Sequence, residues 1–155
     1  MTILACVLGG LLLLLAAAAG LAFELGYVPD TCAVAGEDLP DHVVDKLRAA
    51  DVLGPEEEVL YYYCGGLWDY LEDGNLCTDR RVVSYWTEDG ELFVLAAPFE
   101  EVVAVEVDRG GAWYEDTTIT VSVDGGEQIE LFVAREGDGD EAFEAALRSQ
   151  WRRRR

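Results

Sequence analysis

From residue 58 onward the chain consists of short runs in which apolar and polar residues alternate, and turn residues separate the runs. Side chains of a strand point alternately to two faces, so a period of two predicts strands with one buried face. The predicted strands cover residues 59–64, 75–78, 81–86, 91–96, 101–108, 117–123 and 127–134. The breaks are Asp73-Gly74, Asp89-Gly90, Gly110-Gly111 and Asp124-Gly125-Gly126. No connection is long enough for a helix, which favours antiparallel sheets.

Two other stretches have the spacing of helices. Residues 38–55 open with an aspartate that can cap a helix and end at Gly54-Pro55, which predicts a short helix between them. At the C-terminus, in "DEAFEAALRSQWRRRR", Phe143, Leu147 and Trp151 recur every four residues. We expect this second helix to lay its apolar stripe over an open end of the sheet structure.

The N-terminal segment carries no charge before Glu24. As a helix rising about 1.5 Å per residue, residues 3–23 are long enough to cross about 30 Å of hydrocarbon. We therefore predict a single-pass membrane protein that is anchored through this segment. The side of the membrane that holds the remainder is undetermined, because no Lys or Arg precedes Lys46. Small residues near the end of the segment leave open a cleaved signal peptide as the alternative.

These patterns divide the chain into three parts. Residues 1–23 are the predicted transmembrane anchor, residues 24–55 a linker that holds the short helix, and residues 56–155 the β-rich domain. A chain of 155 residues has room for one such domain and an anchor.

The composition narrows the range of functions. With 31 acidic and 11 basic residues, the formal net charge is -20, which repels nucleic acid, so we expect no nucleic-acid partner. The four cysteines form no CxxC pair and His42 is the only histidine, so we expect no metal site and no cofactor. No motif supplies an activated nucleophile or a nucleotide loop. We therefore expect a protein that is not an enzyme.

The hairpin sequence "GNLCTDRRVVSYW" resembles that of bacterial pleckstrin-homology-like and GRAM-like domains, whose second and third strands meet in a similar turn. "PFEEVVAVEV" is similar to the following strand of that family, and "EDTTITVSVDGGEQIEL" to its last hairpin. The resemblance covers about residues 56–151. It implies a mainly β fold, a seven-stranded antiparallel barrel capped by the C-terminal helix. It implies no single activity, because this scaffold hosts lipid, peptide and protein binding.

In members of that family that bind phosphoinositides, Lys and Arg cluster in the first strand pair and its loop. The corresponding stretch here, "CGGLWDYLEDGN", has no basic residue and carries Asp69, Glu72 and Asp73, which argues against phosphoinositide binding. Aromatic residues of two predicted loops form a candidate contact surface, namely Trp68, Tyr70, Trp113 and Tyr114. The terminal arginines are a candidate contact for anionic groups, namely Arg152, Arg153, Arg154 and Arg155.

We therefore expect a membrane-anchored module that binds a protein partner or organises an assembly. The alternative is a peripheral lipid-sensing domain that uses the arginine tail and the loop aromatics.

The adjacent arginines of "CTDRRVVSYW" raise a separate question, since they could bind an anion or form a corner of the fold. Thr78 and Asp79 have short polar side chains that can bond neighbouring backbone N–H groups in a turn. If strand alternation continues through the turn, Arg80 and Arg81 point to opposite faces and cannot hold one phosphate together. We therefore predict a structural hairpin formed by these four residues.

Overall fold

The computed structural model describes residues 2–24, 26–29, 31–112 and 115–154, and in the first helix it describes the side chains of residues 7–18 and 20–22. The helices are α1 (Thr2–Glu24), α2 (Asp41–Ala49) and α3 (Gly139–Arg154). The strands are β1 (Val34–Ala35), β2 (Val59–Cys64), β3 (Asp73–Thr78), β4 (Arg81–Glu88), β5 (Glu91–Pro98), β6 (Val102–Asp108), β7 (Thr117–Val123) and β8 (Gln128–Val133).

The strands form two antiparallel sheets. One has five strands in the order β1-β2-β3-β4-β5, and the other has three in the order β6-β7-β8. The prediction of a mainly β, antiparallel fold with a C-terminal helix is confirmed. The closed seven-stranded barrel is not observed, because within the described part of the chain the strand pairs leave β5 and β8 as sheet edges.

The main core lies between the two sheets and under α3. Alternate residues of β7 and β8 point into it, and Ile119 and Leu131 are fully buried. Phe143 and Leu147 of α3 are buried in the same cluster, as their helical spacing predicts. Trp151 closes the stripe, and its Nε1 donates a hydrogen bond to the carbonyl oxygen of Val102 at 2.8 Å.

A second core lies on the opposite face of the five-stranded sheet. There α2 packs Val43 and Leu47 against strand residues that include Tyr62, Leu76 and Tyr85. Both faces of β3 and β4 are therefore covered along much of their length, which explains why these strands are almost continuously buried.

The prediction of a membrane anchor concerns the first helix, α1. Among the residues that the structure describes, no helix is long and apolar enough to cross a membrane. The prediction of a single-pass membrane protein anchored through residues 3–23 is therefore wrong.

Candidate functional site

The corner between β3 and β4 is a tight hairpin built on one hydroxyl group. The Thr78 Oγ1 accepts hydrogen bonds from the backbone N–H of Arg80 at 3.1 Å and of Arg81 at 2.9 Å. The Asp79 Oδ1 accepts another from the backbone N–H of Glu58 at 3.0 Å. These are the side-chain-to-backbone bonds that short polar residues supply in turns.

Arg81 is held at this corner by a buried carboxylate. Its Nε and Nη2 donate to the two oxygens of Glu57, each at 2.8 Å. The backbone N–H of Gly54 also donates to Glu57, whose side chain is only 6% exposed. Burial by itself would raise the pKa of Glu57, but the hydrogen bonds from Arg81 and Gly54 hold that pKa below its ordinary value.

The structure corrects the prediction that the two arginines point to opposite faces. Arg80 and Arg81 line the same concave pocket of about 710 Å³, together with Arg154. Alternation does not apply, because Arg80 lies in the turn and β4 begins at Arg81. Each guanidinium in the pocket already faces a carboxylate, since Arg154 bonds Glu100 at 3.1 Å and Arg80 lies 3.9 Å from Glu56. The pocket is therefore balanced in charge.

The predicted aromatic contact surface is not assembled as one unit. Trp68 is 82% exposed on the loop between β2 and β3, next to exposed Leu67. Tyr70 is buried, and its hydroxyl lies 2.8 Å from the carbonyl oxygen of Gly26 and 3.1 Å from that of Val28. The other two residues of that prediction, Trp113 and Tyr114, lie outside the described residues.

The terminal arginines that the structure describes lie in two different places. Arg154 turns back to the hairpin corner, whereas the side chains of Arg152 and Arg153 have no ion pair or hydrogen bond within the described ranges. They line a shallow concave surface of about 900 Å³ with Arg109 and Arg148, both of which pair with Glu144. Burial alone would raise the pKa of that carboxyl, but hydrogen bonds from Arg148 and Arg109 lower it. Arg155 lies outside the described residues.

Two cysteine thiols, of Cys64 and Cys77, are buried, and the ring of His42 contacts a backbone oxygen. Desolvation raises the pKa of the Cys77 thiol to about 12 and also raises that of Cys64. The Nε2 of His42 lies 2.8 Å from the carbonyl oxygen of Gly26. Since the thiolate is the nucleophilic form of cysteine, both buried thiols are poor nucleophiles at neutral pH.

A third concave surface combines apolar walls with unpaired polar groups. We call it the β4–β8 groove, and its volume is about 510 Å³. Its lining consists of Asp73, Ser84, Tyr85, Trp86, Leu95, Gln128, Glu130 and Phe132. Trp86 stacks on Phe93 with ring centroids 5.5 Å apart. Leu95 is 44% exposed and Phe132 is 48% exposed, so the walls present apolar surface to solvent.

Buried polar groups lie beside this groove. Asn75 pairs with Ser84 across β3 and β4, and it is only 1% exposed. Its Nδ2 donates to the carbonyl oxygen of Phe132 at 2.8 Å, which ties β3 to the edge of β8. Its Oδ1 is buried and accepts no hydrogen bond from the described residues. A buried acceptor without a donor is rare, because desolvating it costs about 1–3 kcal/mol.

Two carboxylates at the groove have no cation beside them. The side chains of Asp73 and Glu130 make no ion pair or hydrogen bond with residues 2–24, 26–29, 31–112 or 115–154. Asp73 is exposed as a residue, but neighbouring atoms desolvate its carboxyl group enough to raise its pKa. The groove therefore offers negative charge beside an aromatic surface.

Sequence reasoning missed this groove because its residues come from four strands. One signal was present. The run "ELFVLAAP" of β5 is almost wholly apolar, yet most of its residues are exposed. An apolar run on a sheet edge predicts that something else covers it.

Known proteins show similarity to this chain in fold. No protein-family model matches the chain, and no curated protein is similar enough to count as a relative. A solved structure of a DUF1696 family protein with a pleckstrin-homology domain from Shewanella loihica PV-4 matches 79% of this chain and 99% of its own, with a TM-score of 0.58 and 13% identity. The pleckstrin homology domain from Shewanella amazonensis SB2B matches 72% of this chain and 90% of its own, with a TM-score of 0.49 and 19% identity.

The first of these similarities shows a pleckstrin-homology-like fold, as the hairpin motif predicts. At such low identity it shows the fold alone, and function has to be argued from the surfaces of this chain.

Proposed function

We propose that this chain is a non-enzymatic, pleckstrin-homology-like module that binds a protein partner through the β4–β8 groove. One observation carries the proposal. The groove combines solvent-exposed apolar walls at Leu95 and Phe132 with the carboxylates of Asp73 and Glu130, which have no cation partner among the described residues. Binding sites of folded domains combine apolar surface with a few unpaired polar groups in this way.

The proposal that the chain is not an enzyme rests on the surroundings of two cysteines and the histidine. Cys64 and Cys77 are buried with raised pKa values, and His42 contacts a backbone carbonyl. No pair of these side chains is hydrogen-bonded as nucleophile and base. The β4–β8 groove, in turn, holds carboxylates and aromatic rings, which suit recognition.

A photo-crosslinking experiment tests the binding role. A photoreactive phenylalanine analogue replaces Leu95 in one variant and Val103, an exposed residue of β6, in the control. Each protein is irradiated in cells, the crosslinked partner is identified, and the purified partner is then titrated against the wild-type chain. We expect crosslinking from position 95 and not from position 103, and direct binding that Leu95→Glu weakens by at least tenfold because the charge opposes apolar burial.

The control at position 103 distinguishes binding in the groove from nonspecific binding to exposed apolar residues. If both positions crosslink the same protein, or if Leu95→Glu leaves the titration unchanged while Val103→Glu weakens it, the groove is not the binding site and the proposal fails.

A lipid-sensing role is the second candidate, and a separate observation favours it. The side chains of Arg152 and Arg153 have no partner within the described ranges, and Leu67 and Trp68 are exposed on a loop. Cations and aromatic side chains are the groups that bind anionic interfaces. Flotation of the chain with phosphatidylserine vesicles and with phosphatidylcholine vesicles tests this role. Salt-sensitive binding to the anionic vesicles that Arg152→Ala/Arg153→Ala abolishes would favour the lipid role over the protein-binding role.

A further inference from the structure

The free edge of β8 offers backbone hydrogen bonds to a ligand in the β4–β8 groove. β8 pairs only with β7 in the described part of the chain. The N–H of Val123 donates to the carbonyl oxygen of Glu127 at 2.8 Å, so these two residues form a hydrogen-bonded pair at the turn end of the β7–β8 ladder. Hydrogen-bonded and non-hydrogen-bonded pairs alternate in an antiparallel ladder, so the backbone groups of Glu130 and Phe132 point away from β7.

One contact independently supports this orientation of the Phe132 backbone. The carbonyl oxygen of Phe132 accepts the hydrogen bond from Asn75, which comes from the five-stranded sheet and not from β7. The N–H and carbonyl of Glu130 have no partner among the described residues. An extended segment can therefore add to β8 beside Glu130, as peptides add to exposed sheet edges in other domains.

The side chains around this edge favour a segment with a positive charge. The carboxylates of Asp73 and Glu130 lack cations, and Trp86 offers a ring stacked on Phe93. Two carboxylates that line the same groove as an aromatic ring suit a lysine or arginine side chain, whose aliphatic stem can pack on the ring while its charge meets the carboxylates. An anionic segment would meet uncompensated repulsion at the same place.

We propose that the ligand of the β4–β8 groove is a basic, extended polypeptide segment of a partner protein, which pairs with β8 and places a lysine or arginine side chain between Trp86, Asp73 and Glu130. This inference rests on the proposed binding role of the groove and names the chemistry of its occupant.

Selection from a displayed library of random twelve-residue peptides tests the inference on the full chain. Three targets are compared, namely the wild type, Asp73→Asn/Glu130→Gln, and the control Asp124→Asn/Glu127→Gln. The control removes two exposed carboxylates of the β7–β8 turn, so both variants have the same net charge. Any enrichment of basic peptides that comes only from the overall charge of -20 is therefore equal in the two variants.

We expect wild type and control to enrich the same peptides with a lysine or arginine between apolar residues. Chemical shift changes on titration of these peptides should include the amides of Glu130 and Phe132. Replacing the basic residue by glutamine, or using Asp73→Asn/Glu130→Gln, should weaken binding roughly fivefold, as expected for two partly exposed ion pairs.

The outcomes separate this inference from the proposed function. If enriched peptides bind the groove without a basic residue, the binding role stands and the inference of a basic ligand is overturned. Equal losses in the two charge variants would also overturn it. If no peptide shifts the groove amides, both proposals fail. If concentrating the chain alone shifts those amides, the occupant is a second copy and the basic-partner inference is overturned.

Discussion

Glu57 and Arg81 face each other in a two-point ion pair, with both N–O distances at 2.8 Å, at the end of the β3–β4 hairpin. Glu57 also accepts hydrogen bonds from the backbone of Gly54 and the hydroxyl of Thr78. The pair thereby fixes the turn before β2 against the hairpin corner. An ion pair of this kind is costly to break from one side, because the remaining charge stays buried.

Arg81→Ala should therefore destabilise the fold by about 3 kcal/mol, because it leaves the Glu57 carboxylate buried without its cation. The free energy of unfolding in urea at pH 7 measures this loss. Arg80→Ala is the matched control, since Arg80 is 54% exposed with ion-pair distances of 3.6 and 3.9 Å. It should cost less than about 0.5 kcal/mol. Equal losses in the two variants would contradict the assignment of Arg81 as the structural arginine.

The lowered pKa of Glu57 predicts a pH dependence with a definite sign. A carboxyl whose folded pKa lies below its unfolded value stabilises the fold fully above the unfolded value, about 4.3, and loses that contribution as the pH falls through the folded value. The difference in unfolding free energy between wild type and Glu57→Gln should therefore be largest near pH 7 and shrink below about pH 4.3. Urea titrations across this range check it. Glu56→Gln, whose side chain is 85% exposed, should show almost no difference at any pH.

Asp73 should behave in the opposite way, because desolvation raises its folded pKa. Its ionised form is less favourable in the fold than in the unfolded chain, so Asp73→Asn should stabilise the protein at pH 7. Since the residue is exposed, solvent screening keeps the gain below about 1 kcal/mol. The gain should disappear as the pH falls through the raised pKa. Thermal unfolding at several pH values measures it, with Asp124→Asn as the control. A destabilised Asp73→Asn protein would show that Asp73 supports the fold.

The cysteines should differ in their reaction with iodoacetamide. Cys77 is fully buried with a pKa of about 12, and Cys64 is buried with a raised pKa, whereas Cys32 is partly exposed. We expect alkylation of Cys32 in the native protein, and of Cys64 and Cys77 only after unfolding, because access and thiolate formation both limit the reaction. Site-resolved mass spectrometry of a Cys6→Ser protein follows each thiol. Native labelling of Cys77 at the rate of Cys32 would contradict the burial of this strand.

The local pattern of apolar and polar residues was enough to predict most of the strands and helices. The strand at residues 117–123 was predicted with its observed bounds, because alternation and flanking turn residues act within the strand itself. β1 was not predicted, because two residues, Val34 and Ala35, are too few to show a period and form a strand only by pairing with β2. The helix α2 begins at Asp41, after the predicted cap, because Asp38 lies in a preceding 3-10 turn.

Position in the tertiary structure was harder to predict. Tyr70 lies in a loop between strands, which favours exposure, but the chain after α1 brings carbonyl groups to its hydroxyl and buries it. Similarly, no sequence window brings Trp86 close to Glu130, because that proximity depends on how two sheets meet at their edges. Sequence alone therefore could not predict the groove.

The unpaired edge of β8 is also a potential site of aggregation. Exposed edges of sheets can pair with identical chains, and proteins protect them with charged residues. If β8 paired antiparallel with β8 of another molecule about Glu130, two like carboxylates would lie opposite each other, in molecules that each carry a net charge of -20. Glu130 therefore opposes self-pairing at the edge where it attracts basic segments. Replacing it with a neutral β-former such as valine would remove this protection and expose a strand edge prone to aggregation.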